Sequence, residues 1–329
     1  MRNSIIIGSG SYAPDRVLPN SYFNELLGED VDTWLQTNLT IKERRWCTQD
    51  QSTADLCVEA ANKALKNAGI NAADLNLIII STDTPEYISP STASVVQHRL
   101  GALNAGTFDL NTACAGFVTA LDTANKFIRA DENYNYILVI GAYAMSKYLD
   151  LSDKKTVTLF ADGAGAVVLK SIESADRGQL TSKLHTEGQY ADWMGIYAGG
   201  THMPVNHNVV DAKDHLLKFV KKFPKEINPT TWTKMIKESC EKINISPNDI
   251  THFFFTQINI NTIWETMENL GVDRNRAHTI MDRYGYTGSA CIPMAFDDAM
   301  QKNKLNEGEI VCFMGSGGGL AFANAIYKL

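Results

Sequence analysis

The segment "DLNTACAGFVTAL" places one cysteine, Cys114, where an apolar strand is predicted to give way to an amphipathic helix. A thiol becomes a nucleophile when its thiolate is stabilised, and the open amides and positive dipole end of a helix N-terminus do this. Asn111 and Thr112 are candidate N-caps, so Cys114 is expected in the first helical turn, among small residues that leave room for a thioester. An inert, buried thiol is the alternative interpretation.

The helix after Cys114 is predicted to bury one face, because Phe117, Leu121, Ala124 and Ile128 recur at helical spacing. The remaining cysteines lie far apart, without a CxxC pair or a histidine-rich neighbour: Cys47, Cys57, Cys240, Cys291 and Cys312. This pattern argues against a zinc site and against a disulfide framework. We interpret these five residues as packing residues.

Composition excludes several classes of protein. The 329 residues are 44% hydrophobic and 20% charged, which is typical of a globular protein with one large or two ordinary domains. The longest apolar runs have the length of a strand, well short of the roughly 20 residues that span a bilayer. The N-terminal apolar run is too short for a signal-peptide core, so a cytoplasmic protein is expected. A net charge of −7 argues against a general nucleic-acid binder.

Strand-like and helix-like segments alternate along the chain, which predicts an α/β fold. The helix "ADLCVEAANKALKNAGI", the turn "NAADLN" and the strand "LIIIST" are matched later by "WTKMIKESCEKINI", "SPNDIT" and "HFFFTQ". Asp74 and Asp249 occupy matching turn positions, 175 residues apart. Asp109 and Asp282 lie 173 residues apart, and each is predicted to follow a strand and precede a small-residue loop and a helix. Two copies of one α/β unit are therefore expected.

Each half also closes with a glycine-rich segment and an apolar strand, "FADGAGAVVL" and "FMGSGGGLAFANAI". Gly163 and Gly165 lack the spacing of a dinucleotide-binding loop. We expect them to permit a tight turn between strands.

A duplicated α/β chain of this length with "TACAGF", "FADGAGAVVL" and "GSGGG" in this order resembles β-ketoacyl-acyl-carrier-protein synthase III, of the thiolase fold. "TWLQTNLTIKERRW" and "TGSACIPMAFDDA" match the same family, and the resemblance runs almost from end to end. It implies a layered α-β-α-β-α arrangement of two halves, 1–175 with the nucleophile and 176–329 completing the site. It also implies a homodimer and an acyl-Cys114 intermediate.

The resemblance assigns further roles by position. The backbone amide of Gly318 in "GSGGG" would pair with that of Cys114 as an oxyanion hole, whereas Gly317 and Gly319 are expected to have conformational roles. A tryptophan and two arginines of the family grip the adenine and phosphate end of coenzyme A. Here those positions are Trp34, Asn38 and Lys154, which weakens the phosphate grip because an asparagine is neutral and a lysine lacks a planar fork.

The basic run "KFVKKFPK" falls near the surface of the family that receives the acidic acyl carrier protein. Carrier docking on Lys218, Lys221, Lys222 and Lys225 and a merely solvated helix face are both open interpretations. Neither a metal nor a resident cofactor is expected, since coenzyme A thioester is a substrate.

The chain departs from the family at two catalytic positions. Family members carry a histidine and an asparagine that donate to the malonyl thioester carbonyl and stabilise the enolate. Here Thr256 and Tyr286 occupy those positions, while Gln257 and Asn259 persist from the first motif. His252 lies in a predicted strand and is no obvious substitute. The other histidines are expected to be structural or solvated, although two of them lie on a glycine-rich loop that could reach the mouth of the site: His98, His185, His202, His207, His215 and His278.

A further departure affects the acyl pocket. The family often sends a phenylalanine across the dimer interface at the position of Ser89 in "EYISPST". Its loss predicts a longer channel that accepts more than acetyl, unless Tyr87 or Ile88 refills the space.

Three functions follow. The leading one is ketosynthase III-like acyl transfer, in which Cys114 takes an acyl group from a coenzyme A or carrier thioester and condenses it with a second substrate such as a malonyl thioester. The second is transfer without decarboxylation to an oxygen, nitrogen or preformed carbon nucleophile, in which Tyr286 takes the polar role. The third is a catalytically silent partner of an active homologue, against which the retained thiol argues.

Overall fold

The computed structural model describes all residues from 1 to 329. Its strands are β1 Arg2–Tyr12, β2 Val17–Pro19, β3 Glu43–Arg45, β4 Leu77–Ser81, β5 Gly106–Leu110, β6 Tyr136–Ala144, β7 Asp162–Glu173, β8 Gly178–Thr186, β9 Met194–Gly195, β10 Lys218–Phe219, β11 His252–Phe255, β12 Ile310–Gly317 and β13 Ala321–Lys328. Its α-helices are α1 Asn20–Leu27, α2 Asp32–Leu39, α3 Thr53–Ala68, α4 Thr92–Leu100, α5 Gly116–Ala130, α6 Lys154–Val157, α7 His207–Asp211, α8 Ile227–Lys242, α9 Ile260–Leu270, α10 Met281–Tyr284 and α11 Cys291–Gln301.

Two mixed sheets share one strand plan. The first has the order β1-β7-β6-β4-β5 and the second has the order β8-β13-β12-β11. In both, the first three strands in this order are antiparallel neighbours, and the next strand pairs in parallel. All strands of the first sheet precede residue 175, and all strands of the second follow it. The correspondence of strand order and direction supports the interpretation of two related halves.

Helices form layers inside and outside the two sheets. Helices α5 and α11 contact strands of both sheets and lie between them. Helices α3 and α4 pack on the outer face of the first sheet, while α8 packs on the second sheet and supports α9. The predicted α-β-α-β-α layering is thus observed. The face of α5 predicted to be buried is buried at all four positions, Phe117, Leu121, Ala124 and Ile128.

The repeated turn between helix and strand has the same chemistry in both halves. The Asp74 carboxylate accepts from the Asn71 amide at 2.8 Å, and the Asp249 carboxylate accepts from the Ser246 amide at 2.7 Å. Each aspartate closes a capping box on a single 3₁₀ turn, which satisfies amides that would otherwise be open. The matching positions of Asp74 and Asp249 therefore reflect one local solution used twice.

The second predicted pair is only half right. Asp109 is the last but one residue of β5 and accepts from the first amides of α4, but Asp282 lies inside α10, and no strand directly precedes it. The segment before Asp282 forms one isolated bridge, from Phe253 to Ala277. The Gln257 side chain donates to the His278 carbonyl and accepts from the Ile280 amide, at 3.1 and 2.8 Å. These bonds satisfy backbone groups that a fifth strand would otherwise pair.

Gly163 and Gly165 lie within β7, so the expected tight turn between strands is wrong. A Cβ on Gly165 would lie 2.6 Å from the Met294 amide nitrogen, and one on Gly163 would lie 2.6 Å from the Met294 sulfur. Both glycines therefore let α11 approach the first sheet closely. The six cysteines are buried and unbridged. None of the helices has the length and apolar character required to cross a membrane.

Replacing Gly165 with Ala should lower the free energy of unfolding by about 2 kcal/mol or more, because the methyl group collides with backbone atoms of α11. Urea unfolding of Gly165→Ala beside Gly188→Ala measures this. Gly188 has open space around its Cβ position and serves as the control. Equal midpoints for the two variants would contradict the packing role of Gly165.

Candidate active site

Cys114 lies in a tight turn between β5 and α5, not in the helix. The helix begins at Gly116 and has no side-chain cap, so the predicted capping by Asn111 and Thr112 is wrong. The Asn111 side chain instead accepts from the Ala113 amide at 2.9 Å, and Ala113 adopts a left-handed φ of 47°. This conformation closes the turn immediately before the thiol. Cys114 itself is 2% exposed.

The turn is held from both halves of the molecule. A Cβ on Gly317 would lie 2.4 Å from the Cys114 amide nitrogen, and one on Gly315 would lie 2.9 Å from Ala115 Cα. On the opposite side, a Cβ on Gly116 would collide with the Ser81 hydroxyl at the end of β4. Glycine is required at Gly315 and Gly317 because the end of β12 runs directly against the nucleophile turn, and at Gly116 because the turn also lies against Ser81 of β4.

A pocket of about 240 Å³ opens beside the thiol. We call it the nucleophile pocket, and it is lined by Asp83, Asn111, Ala113, Cys114, Tyr143, Met145, Ala191, Met194, Gly195, Ile196, Tyr197, Leu217, Gly318 and Gly319. Neither the Cys114 amide nor the Gly318 amide donates to a carbonyl group of another residue. Two open amides beside a thiol are the donors that an oxyanion hole requires, which supports the role proposed for Gly318.

Tyr286 approaches the same thiol from the C-terminal half. Its amide donates to the Leu159 carbonyl and its carbonyl accepts from the Ala161 amide, both at 2.9 Å. The ring is buried against Phe160, at 5.4 Å between centroids. Burial raises the pKa of the Tyr286 hydroxyl well above its ordinary value, and the contact with Cys114 adds to this. Tyr286 is therefore a neutral phenol that can donate a proton to a hydrogen bond.

The thiol is not activated in the resting site. Burial raises the pKa of Cys114 well above its ordinary value, the nearby Asp83 carboxylate raises it further, and a hydrogen bond with Tyr286 opposes the rise. Formation of the thiolate therefore depends on donors placed around sulfur, of which the Tyr286 hydroxyl is one.

Thr256 and Gln257 do not point their polar groups at the thiol. The Thr256 hydroxyl donates to the Ser316 carbonyl at 3.2 Å and accepts from the Ser316 amide at 2.9 Å. The Gln257 side chain is occupied by the backbone of the segment before α10, as described above. Both residues thus tie the end of β11 to its neighbours. Neither residue lines the nucleophile pocket.

Asn259 and the histidines also lie away from the sulfur. Asn259 caps α9 by accepting from the Asn261 amide at 3.0 Å. His252 lies in β11 and faces Glu309, and His278 is bonded to Asp298 at 2.7 Å. The exposed loop histidines do not line the nucleophile pocket.

Asp83 is the residue that sequence reasoning missed. It follows β4 by two residues, lines the nucleophile pocket, and its buried Oδ1 has no hydrogen-bond partner. Burial raises the pKa of Asp83 to about 6. The signal was available, because β4, β5 and β6 are parallel neighbours whose carboxyl ends meet at one edge. Asp83, Cys114 and Tyr143 are the chemistry-bearing residues at those three ends.

A second pocket of about 470 Å³ adjoins the first and shares Tyr197 and Leu217 with it. We call it the mouth pocket, and its charged lining consists of three carboxylates and one ammonium, from Asp150, Asp153, Asp214 and Lys218. Lys213 pairs with Asp150 at 2.9 Å, and Lys218 lies 3.5 Å from Asp214.

The predicted coenzyme A residues lie on the surface. Trp34 is 56% exposed on α2, and Asn38, one turn later, donates to the Trp34 carbonyl at 2.9 Å. Lys154 begins α6 and pairs with Glu29 at 3.1 Å. The only cation among these three positions is therefore already neutralised by a carboxylate.

The remaining predicted positions are exposed or partly exposed. The basic run is a two-residue strand followed by a loop, so the predicted helix face is wrong. Lys221 lies over the Trp193 ring at 5.5 Å, and Lys221, Lys222 and Lys225 form no ion pair. Ser89 lies on an exposed loop outside the nucleophile pocket, beside Tyr87 and Ile88.

Substituting Asp83 with Asn should stabilise the protein at pH 8. The folded carboxyl has a pKa of about 6 against 3.8 unperturbed, so it binds its proton more tightly in the folded chain; stability is lost as the pH rises from about 4 to 6, and the full loss is present above pH 6. Removing the charge should raise the free energy of unfolding by about 1 to 3 kcal/mol at pH 8, and by much less at pH 4.

Urea unfolding at both pH values measures the difference, with the exposed Asp176→Asn as the control. A gain of equal size at pH 4 and pH 8 would show that the charge of Asp83 is not its cause.

Comparison with known proteins agrees with this architecture. The family description "3-Oxoacyl-[acyl-carrier-protein (ACP)] synthase III" matches residues 108–188, and its C-terminal counterpart matches residues 240–329. The β-ketoacyl-[acyl-carrier-protein] synthase III of Natranaerobius thermophilus is 36% identical over 100% of both chains. That of Clostridioides difficile is 34% identical over 98% of this chain and 97% of its own.

Solved structures agree as well. The 3-oxoacyl-[acyl-carrier-protein] synthase III of Aquifex aeolicus superposes with a TM-score of 0.89 at 29% identity, over 99% of this chain and 100% of its own. The Pseudomonas aeruginosa enzyme of the same name gives 0.90 at 25% identity, over 99% and 98%. These likenesses confirm the predicted fold. The chain belongs to the 3-oxoacyl-[acyl-carrier-protein] synthase III family of thiolase-fold acyltransferases.

Proposed function

We propose that this protein transfers acyl groups through a thioester on Cys114, and that its second step proceeds without decarboxylation. The observation that carries the first part is the placement of the Cys114 thiol beside two open amides at the side of a pocket. A thioester carbonyl bound there would have its developing negative charge stabilised by the amides of Cys114 and Gly318. The sulfur then displaces the donor thiol, and a proton passes to that leaving thiol.

Acyl carrier protein is the donor that the surface charges favour, although coenzyme A thioesters share the reactive group. The phosphates of coenzyme A would meet Lys154, whose charge is already paired with Glu29, beside the acidic mouth pocket. By contrast, Lys221, Lys222 and Lys225 are exposed and unpaired, which suits an acidic protein partner. Donor chains longer than acetyl belong to this proposal because Ser89 stands where the family often carries a phenylalanine that closes the acyl channel.

The lack of suitably aimed donors supports transfer without decarboxylation. Stabilising an enolate requires donors preorganised toward the oxygen where charge develops. The Thr256 hydroxyl donates to Ser316, and the Gln257 side chain is oriented toward His278 and Ile280, to which it donates one N–H and from which it accepts one bond. Tyr286 is the polar side chain from the second half that contacts the thiol, and one phenol replaces two donors poorly.

Decarboxylative condensation with a malonyl thioester is the second candidate. It is favoured by full-length similarity to relatives named β-ketoacyl-[acyl-carrier-protein] synthase III. A homodimer is part of either candidate. Tyr87 and Ile88 are 52% and 82% exposed, and a second copy covering this apolar loop would remove both side chains from water.

Cys114→Ala should abolish covalent acylation, because the acyl group has no sulfur to bond. Intact-protein mass spectrometry after incubation with acetyl and octanoyl thioesters of coenzyme A and of acyl carrier protein measures the mass gain. Cys291→Ala is the matched control, since Cys291 is buried near the same site but serves as the first residue of α11. Equal labelling of wild type and Cys114→Ala would refute the assignment, and no gain in wild type would favour the silent-partner interpretation.

Tyr286→Phe should slow acylation of Cys114 by about tenfold or more, because the variant loses a hydrogen bond that stabilises the thiolate. Carbon dioxide release from labelled malonyl thioester should be low in the acylated wild type. Tyr284→Phe is the matched control, since the Tyr284 ring faces the guanidinium groups of Arg45 and Arg283. Rapid release of carbon dioxide that is unchanged in Tyr286→Phe would contradict both statements.

A further inference from the structure

Asp83 is a partly buried carboxylate in the nucleophile pocket, and it forms no ion pair within the chain. It takes part in none of the ion pairs of the chain, its Oδ1 is buried without a hydrogen-bond partner, and it lines the nucleophile pocket with Cys114 and Tyr143. Burying a carboxylate oxygen without a partner costs free energy. Such a carboxylate in a pocket is a candidate for binding a ligand or for catalysis. A ligand that pairs with Asp83 would carry a positive group or a proton donor.

The approach to this carboxylate is also negatively charged. The mouth pocket shares Tyr197 and Leu217 with the nucleophile pocket; among its carboxylates Asp150 pairs with Lys213 and Asp214 with Lys218, and Asp153 has no cationic partner. Carboxylates along a concave entrance raise the local concentration of cations and repel anions. A malonyl group, which carries its own carboxylate, would be opposed both at the mouth and beside the thioester.

We propose that the second substrate is a primary amine and that Asp83 is the catalytic base that accepts its proton during attack on the acyl-Cys114 thioester. This inference rests on the acyl-enzyme of the proposed function and names its acceptor class. The Asp83 carboxylate attracts the amine in its ammonium form. The attacking species is the small uncharged fraction of the amine, and Asp83 accepts the proton that its nitrogen loses. Removing a proton from the attacking nitrogen is the task that a free carboxylate at the reacting centre can perform.

The reaction balances with the groups in the pocket. The nitrogen lone pair attacks the thioester carbonyl carbon and forms the C–N bond, while the carbonyl oxygen takes the negative charge beside the amides of Cys114 and Gly318. One N–H proton passes to the Asp83 carboxylate. Collapse of the intermediate breaks the C–S bond, and the Cys114 thiolate leaves and recovers the proton from Asp83. The products are an amide and the free thiol.

The pH dependence of this step is defined by one group. The titratable side chains around Asp83 are Cys114, Tyr143, Tyr148 and Tyr197, and burial raises the pKa of each above its ordinary value. Asp83, with a pKa of about 6, is the group that changes charge between pH 5 and pH 8. The rate of transfer per free amine should therefore rise through pH 6 and level off above it.

The test separates acylation from transfer. Wild type, Asp83→Asn and Asp83→Glu are first acylated with octanoyl-coenzyme A or octanoyl-carrier protein, and the acyl mass is confirmed by mass spectrometry. Loss of that mass is then followed from pH 5 to pH 8 with butylamine, tyramine, butanol or malonyl-coenzyme A. Asp176→Asn, on an exposed turn, is the control.

We expect both amines to discharge wild type and Asp176→Asn at least about 100-fold faster than Asp83→Asn, with partial recovery in Asp83→Glu. Discharge is measured only on protein that already carries the acyl mass, so any change that Asp83→Asn makes in the rate of acylation does not enter the comparison. Equal discharge of wild type and Asp83→Asn by the amines, or faster discharge by butanol or malonyl-coenzyme A, overturns the inference alone. Failure of every protein to acquire the acyl mass overturns the acyl-enzyme proposal and the inference with it.

Discussion

The site depends on one close approach, in which the end of β12 lies against the turn that carries Cys114. Gly315 and Gly317 permit the contact, and any side chain at Gly317 would occupy the position of the Cys114 amide. Because this strand belongs to the second sheet and the turn to the first, the nucleophile is positioned by the packing of the two halves on each other. Helices α5 and α11 fill the space between the sheets and fix their separation.

Burial is the cost of this arrangement. The same packing that orients the thiol removes it from water, and it places the Asp83 carboxylate and two phenols in the same low-dielectric region. A thiol in these surroundings holds its proton. Reactivity then depends on what enters the pocket, because a ligand that neutralises Asp83 also lowers the pKa of Cys114. Substrate charge and nucleophile activation are coupled through a single carboxylate.

Much of this architecture could be predicted from the sequence, and the failures have physical causes. The duplicated capping boxes at Asp74 and Asp249 and the buried face of α5 are local patterns, which a sequence displays directly. The strand expected before Asp282 does not form because Gln257, more than 20 residues earlier, satisfies its backbone. The packing role of Gly165 likewise depends on Met294, a residue distant in sequence, so periodicity gave no sign of it, whereas the position of Asp83 just after a buried strand was a signal in the sequence.

One part of the nucleophile pocket, formed by Met194, Gly195, Tyr197 and Leu217, contains little regular secondary structure. Met194 and Gly195 belong to β9, which pairs with β10 over two residues only, and the neighbouring Tyr197 and Leu217 lie on the flanking loops. The Trp193 carbonyl also accepts from the Val220 and Lys221 amides, and an element held by this small number of backbone hydrogen bonds is expected to open at a lower free energy than the core. The segment that covers the Cys114 sulfur is therefore expected to open without unfolding the elements that position Cys114. Substitutions in the β9–β10 strand pair would change the rate at which molecules reach the thiol, while the free energy of unfolding of the whole protein stayed the same.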